Sequence, residues 1–373
     1  MTDSRRREEC CGCSCCEAAC PVGAISMERD PMGFLYPKID HDGCIRCGLC
    51  DRVCPFQARE RRAVDPPALA LRFRESLRRS QSGGLSAALV KEAVSRGWVV
   101  YGAAFREDWS VAHFRAETLS EAERFRRSKY VQSDMSGIPG SVLSDLRAGR
   151  TVLFTGTPCQ CAGIASLAGE KNGERLYLAD IVCHGTPSPS VWLSALRRQE
   201  KKAGKKVTDV TFRDVEMDWH SHKEAYFFGG KKVVDDAYTY LFYQHMILRP
   251  SCGSCPFASL SRETDLTMAD CWGIERVSED FASDGRGCSL CLVGSGKGKE
   301  LLDAVLPGAE TLPLDVRKVM QPNLEHPSAL HPLSSSVEND YIRRGLDYVI
   351  RRYGNGSLRY RLDKFIAKVK RHI

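Results

Sequence analysis

The sequence predicts an α/β (mixed α+β) core preceded by a small cysteine-rich domain. Three observations support this fold class. Ten cysteines lie within the first 54 residues, buried-type strands alternate with helical segments in residues 76–190, and short strands with a glycine hairpin follow in 191–345. A chain of 373 residues corresponds to about two or three domains. Apolar residues make up 43% and charged residues 27%, as in an ordinary globular protein.

Composition and charge narrow the class of protein. No apolar run reaches the roughly 18 residues that a membrane span needs. No apolar segment follows Arg5–Arg7, so we expect no secretory signal and a cytoplasmic location. Thiols stay reduced there, and dense cysteines then predict metal ligands rather than disulfides. Bound clusters would offset much of the net charge of +7, so we expect no nucleic-acid binding.

Two copies of the spacing C-x2-C-x2-C-x3-C-P lie in the N-terminal domain, residues 1–58. The first copy is Cys10, Cys13, Cys16 and Cys20, and the second is Cys44, Cys47, Cys50 and Cys54. This spacing is typical of bacterial-type ferredoxin-like domains with two 4Fe-4S clusters, in which the fourth cysteine of each run binds the other cluster. We therefore expect one cluster on Cys10, Cys13, Cys16 and Cys54, and a second on Cys20, Cys44, Cys47 and Cys50.

Zinc is the alternative for these cysteines, since paired C-x2-C motifs also bind zinc. The third cysteine of each run and the C-P ending favour clusters. Cys11 and Cys15 fall outside the spacing and are expected to be small residues near a cluster. Residues 22–27 and 33–39, between the two runs, predict the small hairpin of a ferredoxin-like domain.

An α/β pattern follows a charged, proline-bearing linker at residues 59–75. A helix is predicted around Leu85–Val94, and strands at 98–101, 152–154 and 176–182. Residues 191–345 begin with a strand at 210–213, then strands on either side of Gly229-Gly230, a two-residue hairpin signal. Residues 346–373 predict a basic helical tail.

Two cysteines come just after the ends of two of these strands. Cys159 follows strand 152–154, and Cys183 follows strand 176–182. Open α/β sheets bind their ligands at the carboxyl ends of their strands. Together with Cys252 and Cys255, a C-x2-C pair, they form a candidate third four-thiolate site. Zinc or a redox pair remains the alternative for Cys252 and Cys255.

The remaining motifs favour structural roles. The segment Gly294–Lys299 matches no phosphate-binding loop and predicts a turn before a helix. Cys161, Cys271, Cys288 and Cys291 have no ligand spacing and are expected to be buried small residues.

His184, beside Cys183, is a candidate catalytic proton donor, with a loop hydrogen-bonding role as the alternative.

Several motifs spread over the chain after residue 70 are similar to those of one family. They are Ser82-Gly83-Gly84, Ser128–Ser133 (SKYVQS), Val152–Gln160 (VLFTGTPCQ), Cys183–Ser188 (CHGTPS), Arg249–Cys252 with Cys255, and Asp265–Gly273 (DLTMADCWG). On these motifs the chain resembles the coenzyme F420 hydrogenase/dehydrogenase beta-subunit family, with an N-terminal two-cluster ferredoxin domain.

The resemblance implies an iron-sulfur flavoprotein that binds FAD and passes electrons between the flavin and 4Fe-4S clusters. It implies a third cluster on Cys159, Cys183, Cys252 and Cys255. It also places the flavin near the following residues: Ser82, Gly83, Gly84, Ser128, Lys129, Tyr130, Gln132, Ser133, Gly156 and Thr157. Glycines let backbone N-H groups approach a pyrophosphate, and Lys129 supplies positive charge.

The expected function is that of an oxidoreductase that exchanges electrons with a small-molecule two-electron substrate, such as coenzyme F420, at FAD. Its clusters would exchange single electrons with ferredoxin or another redox protein or subunit. One alternative is a ferredoxin-dependent reductase of an organic substrate without F420. Another is a non-catalytic electron-transfer subunit that has lost the flavin.

Overall fold

A two-stranded hairpin between two short helices forms the N-terminal region of the computed structural model. The structure describes residues 7–56, 65–74, 77, 80–213, 219, 223–282, 287–358 and 360. Strands β1 (Ile25–Arg29) and β2 (Leu35–Ile39) pair antiparallel, and helices α1 (Cys15–Ala18) and α2 (Leu49–Arg52) flank them. The hairpin predicted between the two cysteine runs is confirmed.

The other elements form a mixed α/β core, which confirms the predicted fold class. Its strands are β3 (Ala68–Arg72), β4 (Val99–Phe105), β5 (Val111–Ala116), β6 (Val152–Gly156), β7 (Leu176–Ile181), β8 (Asp209–Thr211), β9 (Glu224–Phe228), β10 (Lys231–Asp235), β11 (Leu266–Asp270), β12 (Ser289–Val293) and β13 (Glu310–Leu314). Its helices are α3 (Leu85–Ser95), α4 (Leu119–Ala122), α5 (Ile138–Arg147), α6 (Pro158–Ala168), α7 (Pro189–Ala203), α8 (Ala237–Tyr243), α9 (Glu279–Ala282), α10 (Gly296–Val305), α11 (Ser334–Arg344) and α12 (Leu346–Arg352).

A central sheet with the strand order β13-β3-β12-β11-β7-β6-β4-β5 organises the core. Strands β4, β6, β7 and β11 are parallel neighbours, whereas β5, β12, β3 and β13 pair antiparallel. Parallel strands end at the same edge of a sheet. The loops after β6 and β7 therefore lie side by side, as the positions of Cys159 and Cys183 predicted.

The assignment of residues 59–75 to a linker is wrong for β3. Residues 68–72 form a strand next to the edge of the sheet, which pairs with β12 on one side and with the edge strand β13 on the other. Alanine and leucine, which make up most of this strand, have little intrinsic strand preference, so the segment carries no local signal. Residues 57–64 lie outside the described residues.

A second sheet, of order β10-β9-β8, carries the predicted hairpin at Gly229-Gly230. The predicted strand at 210–213 ends earlier, at Thr211, because Phe212 and Arg213 leave the sheet and are buried. A bend at Ser295 precedes α10, and residues 296–299 of the predicted turn instead form the start of that helix. Ser295 caps the helix by accepting a hydrogen bond from the Gly298 N-H.

The N-terminal region packs against the core through polar contacts as well as apolar ones. Ser188 donates from its hydroxyl to the carbonyl of Met32 at 2.6 Å, and Arg29 pairs with Asp134 at 2.6 Å. Of the predicted tail, α12 and a few following residues are described, and residues 361–373 lie outside the described residues. Among the described helices, none is both long and apolar enough to cross a membrane.

Candidate metal centres

The four cysteines predicted for a third site line one cavity. Cys159 lies in the first turn of α6, directly after β6, and Cys183 follows the end of the adjacent strand β7. Cys252 lies in a short 3-10 helix, Pro250–Ser254, and Cys255 follows it. The sheet edge and this short helix thus bring together thiols from three distant parts of the sequence. We call this cavity the core site.

Hydrogen bonds fix the start of α6, on which the position of Cys159 depends. The Thr157 N-H donates to Oε1 of Gln160 at 3.0 Å, and Nε2 of Gln160 donates to the hydroxyl of Ser133 at 2.9 Å. The hydroxyl of Thr157 lies 3.2 Å from Sγ of Cys159. The first turn of α6, which carries Cys159, is therefore fixed by the hydrogen bonds of Gln160 with Thr157 and with Ser133.

The environment of these thiols suits iron-sulfur ligation. Backbone N-H groups of Gly185 and Thr186 point at Sγ of Cys183 (3.4 Å) and Sγ of Cys252 (3.3 Å). Such N-H donors stabilise a thiolate and tune the potential of the cluster it binds. Within the described part of the chain, no three His, Cys, Asp or Glu side chains converge tightly enough to hold a single metal ion. Zinc stays open as the alternative for Cys252 and Cys255.

Burial favours the protonated form of three of these four thiols. It raises the pKa of Cys183 and Cys252, and it raises the pKa of Cys255 to about 12. Ligand cysteines bind metal as thiolates. Assembly of a cluster at the core site must therefore release protons.

A second cavity brings together the four cysteines predicted for the first N-terminal cluster. Cys10, Cys13, Cys16 and Cys54 all line it, although the last two are 38 positions apart in the sequence. The Gly12 N-H points at Sγ of Cys10 at 3.4 Å. This geometry agrees with the exchange of fourth cysteines between the two runs. We call it the inner site.

The four cysteines predicted for the second N-terminal cluster include the most exposed of the predicted ligands. Cys20, Cys44 and Cys50 are half-buried and Cys47 is exposed. The Ala24 N-H points at Sγ of Cys20 at 3.2 Å. Ile45, beside them, is 61% exposed. We call this predicted set the outer site.

Cys11 and Arg249, to which sequence reasoning gave no role at a site, lie between the inner site and the core site. Cys11 is buried and lines both cavities. Gln132 donates from Nε2 to the carbonyl of Cys11 at 2.8 Å, and its Oε1 accepts from Arg249 at 2.9 Å. The C-C-G-C run around Cys11 gave no hint that one side chain would border two sites.

The side chains predicted to bind flavin mostly hold other parts of this protein. The Ser82 hydroxyl donates to the carbonyl of Cys288 at 2.8 Å. A Cβ at Gly83 would lie 2.1 Å from the Leu71 carbonyl, so this glycine permits close packing on β3. Gly84 has a positive φ of 89° and precedes α3. The Ser82–Gly84 segment therefore has a structural explanation.

The 128–133 segment is similarly engaged. Nζ of Lys129 donates to the carbonyls of Arg124 (3.0 Å), Phe125 (3.0 Å) and Arg126 (2.6 Å), and the Ser128 N-H donates to Gln81. Tyr130 packs in an aromatic cluster with Phe212, Phe242 and Tyr243. Of the ten residues predicted for flavin, Gln132 and Thr157 line the core site, and the other eight, including Ser133 and Gly156, line neither cavity. The side chains of Ser82 and Lys129 are thus used inside the fold, and the flavin role of these ten residues stays a prediction.

His184 lines the core site and belongs to a histidine pair. Its Nε2 lies 2.7 Å from Nε2 of His245, whose Nδ1 donates to the carbonyl of Ala329 at 2.7 Å. A neutral His245 that donates from Nδ1 accepts at Nε2, so His184 donates in this pair. His184 thus has the hydrogen-bonding role considered for it, and its role as a proton donor stays a prediction.

The four cysteines without ligand spacing are fully buried, as expected. Cys161, Cys271, Cys288 and Cys291 are each 0% exposed. Burial raises the pKa of Cys161 and Cys291, so both remain thiols. They serve as small core residues.

The fold and these cysteine sites define an iron-sulfur protein of the oxidoreductase class. Residues 149–312 match the family described as the C terminus of the beta subunit of coenzyme F420 hydrogenase/dehydrogenase, and residues 9–58 match the 4Fe-4S dicluster domain. The chain is thus similar to this F420 hydrogenase/dehydrogenase beta-subunit family over residues 149–312, and it carries an N-terminal 4Fe-4S domain. The resemblance predicted from the sequence motifs is confirmed.

Individual relatives match parts of the chain. The F subunit of the F(420)H(2) dehydrogenase of Methanosarcina mazei is 25% identical over 184 residues, which cover 46% of this chain and 52% of that protein. The PorD subunit of the pyruvate synthase of Thermotoga maritima is 41% identical over 56 residues, 15% of this chain and 52% of that protein. The chain thus spans about half the length of each. A chain of the F420-reducing nickel-iron hydrogenase complex of Methanosarcina barkeri aligns with a TM-score of 0.46 and 17% identity, over 73% of this chain and 91% of that chain.

Proposed function

We propose that this protein is the electron-transfer subunit of an oxidoreductase that takes electron pairs from a carrier of the coenzyme F420 class. It would deliver single electrons to ferredoxin or to another redox subunit. The observation that carries the proposal is the shared wall at Cys11, which borders both the core site and the inner site. Adjacent cluster sites are what a path for single electrons requires.

The order of the three sites supports a direction for that path. The core site lies at the edge of the α/β sheet, the inner site borders it, and the outer site includes the exposed Cys47. Electrons would enter at the core and leave near Cys47. A small-molecule donor would therefore meet the core, and a protein acceptor would meet the N-terminal domain.

FAD in the core is the part of the proposal that rests on the sequence motifs. A flavin would supply the group that accepts a hydride and releases its two electrons singly. The name of the Methanosarcina mazei relative, which belongs to an F(420)H(2) dehydrogenase, supports an F420-class donor. The names of the relatives also support a place in a complex of several subunits.

A subunit that transfers electrons without a flavin is the second candidate. The internal hydrogen bonds of Ser82 and Lys129 favour it, because these side chains are already used inside the fold. The N-terminal domain would have the same role in either case. Flavin content and activity with reduced F420 separate the two.

The test is anaerobic mixing of the purified full chain with reduced coenzyme F420 and oxidised ferredoxin. Oxidation of one reduced F420 releases two electrons and two protons, so two ferredoxins should be reduced for each F420 oxidised. Released FAD should amount to about one per chain if the flavin is the entry group. Absence of flavin, together with failure of F420 to react while reduced ferredoxin, supplied in a separate experiment, still reduces the clusters, would favour the second candidate.

Cys183→Ala and Cys291→Ala make a matched pair for this assay. Both cysteines belong to the core, but Cys183 lines the core site and Cys291 lies within β12. Only Cys183→Ala should block the passage of electrons from F420 to ferredoxin. Equal activity of the two variants would contradict a path through the core site.

A further inference from the structure

Arg249 is a buried cation for which the described residues provide no carboxylate. It is 1% exposed and precedes the short helix that carries Cys252. Its Nε donates to the Cys10 carbonyl at 2.6 Å, and its two other nitrogens donate to Oε1 of Gln132 (2.9 Å), the Leu35 carbonyl (2.8 Å) and Sγ of Cys10 (3.4 Å). All of these acceptors are neutral groups or a cysteine sulfur.

The guanidinium lies in the wall between the two neighbouring cluster sites. Arg249 lines the core site, and it touches Cys10 of the inner site directly. Gly12 has a φ of +68°, and a Cβ there would lie 2.9 Å from Nη1 of Arg249. The positive φ and the close approach both require glycine at this position. The loop of the inner site is therefore fitted around the guanidinium.

A buried charge of this kind needs a counter-charge. Leaving a buried ion without an opposite charge costs several kcal/mol, and here the ring of Tyr36, 4.2 Å from the guanidinium, and the neutral acceptors offset only part of that cost. A 4Fe-4S cluster on four thiolates is an anion, and its reduction adds one more negative charge. Clusters at the inner and core sites would place that negative charge on two sides of Arg249.

We propose that Arg249 is the shared counter-charge of the inner and core clusters and favours their reduced states over that of the outer cluster. This inference rests on the proposed function, since it takes both sites to hold 4Fe-4S clusters. The same cation also ties the N-terminal domain to the core through Cys10 and Leu35. It acts through the clusters' ligands and surroundings, so it is a positioning residue rather than a catalytic one.

Potentiometric titration of the full chain, followed by electron paramagnetic resonance, tests the proposal. Arg249→Met should lower the midpoint potentials of the inner and core clusters and leave that of the outer cluster unchanged. Arg249→Lys, which keeps the charge, should shift them less. Arg7→Met is the control, because Arg7 approaches the same Tyr36 ring (5.7 Å) but is ion-paired with Asp30 and Glu338. Its potentials should match those of the wild type.

If Arg249→Met fails to load iron, the variant Gln132→Glu tests the proposed role of Arg249 instead. Its carboxylate would take the place of the amide oxygen 2.9 Å from Arg249 and cancel the charge without removing the guanidinium. Lower potentials at the inner and core clusters would support the proposal. Unchanged potentials in either fully loaded variant would overturn it. A wild-type chain that holds no cluster at the core site would contradict the proposed function and this inference together, whereas three clusters with unshifted potentials would contradict the inference alone.

Discussion

Gly163 of α6 lies against Cys13 of the N-terminal domain, so closely that a Cβ on the glycine would be 3.0 Å from the cysteine Sγ. The same Cβ would lie 2.9 Å from Sγ of Cys15, which is also fully buried. Real Cβ atoms essentially never approach another atom more closely than this. The missing side chain thus lets the ferredoxin-like domain pack directly onto the helix that carries Cys159.

Gly163→Ala should therefore disturb the inner site. Cys13 and Cys15 cannot both move away within a close-packed interior, so we expect the chain to lose about four iron atoms, those of the inner cluster. Iron per chain after anaerobic purification measures this. Gly140→Ala in α5 is the matched control, since a Cβ there meets nothing within 4 Å. An iron content of Gly163→Ala equal to that of the control would contradict the close contact.

Removal of one core-site thiol should remove one cluster and leave the other two. We expect Cys252→Ala to contain about eight iron atoms instead of about twelve. Cys161→Ala tests specificity, because Cys161 lies two residues from Cys159 in α6 but is buried away from the cavity. The same iron loss in both variants would show that the loss comes from damage to the fold rather than from loss of a ligand.

The exchange of fourth cysteines between the two N-terminal runs predicts which variants behave alike. Cys54 lines the inner site with Cys10, although Cys54 belongs to the second run. Cys54→Ala and Cys10→Ala should therefore lose the same cluster signal in electron paramagnetic resonance. Cys20→Ala should lose the other N-terminal signal. If Cys54→Ala instead resembled Cys50→Ala, the ligand sets would follow the sequence runs and the assignment would be wrong.

His113 predicts a pH dependence of stability. It is 4% exposed, its Nε2 lies 3.0 Å from the Thr155 carbonyl, and burial lowers its pKa to about 4. Below pH 6.5 the unfolded chain takes up a proton on His113 that the folded chain does not. The free energy of unfolding therefore decreases as the pH falls from 6.5 towards 4. Each pH unit within that window should cost about 1.4 kcal/mol.

Urea unfolding of wild type and His113→Gln at several pH values between about 4.5 and 7 checks this prediction. The difference in the free energy of unfolding between the two proteins should change by about 1.4 kcal/mol per pH unit within this window. His41→Gln, at an exposed position, serves as the control and should follow the wild type. A pH-independent difference between wild type and His113→Gln would contradict the burial argument.

The sequence was most informative where chemistry depends on spacing along the chain. The two cysteine runs predict the N-terminal hairpin and the grouping of Cys54 with Cys10, because cluster ligation imposes that order. Cys159 and Cys183 were placed correctly at one sheet edge, since both follow buried strands. Strand β3 was missed because its alanines and leucines become a strand only through two partners distant in sequence.

Contacts between residues far apart in the chain could not be predicted from the sequence. Arg249 lies 239 positions from Cys10, and the motif around it indicated only that Cys252 follows. The spacing predicts only a small residue near a cluster at Cys11, because the position of Cys11 between two cavities depends on how two domains pack. The hydrogen bonds of Lys129 likewise depend on backbone carbonyls of a nearby helical turn. The SKYVQS motif alone does not predict them.

Iron and acid-labile sulfide per chain, measured on anaerobically purified full-length protein, test the central claim most directly. Three cluster sites predict about twelve iron and about twelve sulfide atoms. About eight of each would leave only the N-terminal domain loaded, and would contradict a cluster held by Cys159, Cys183, Cys252 and Cys255.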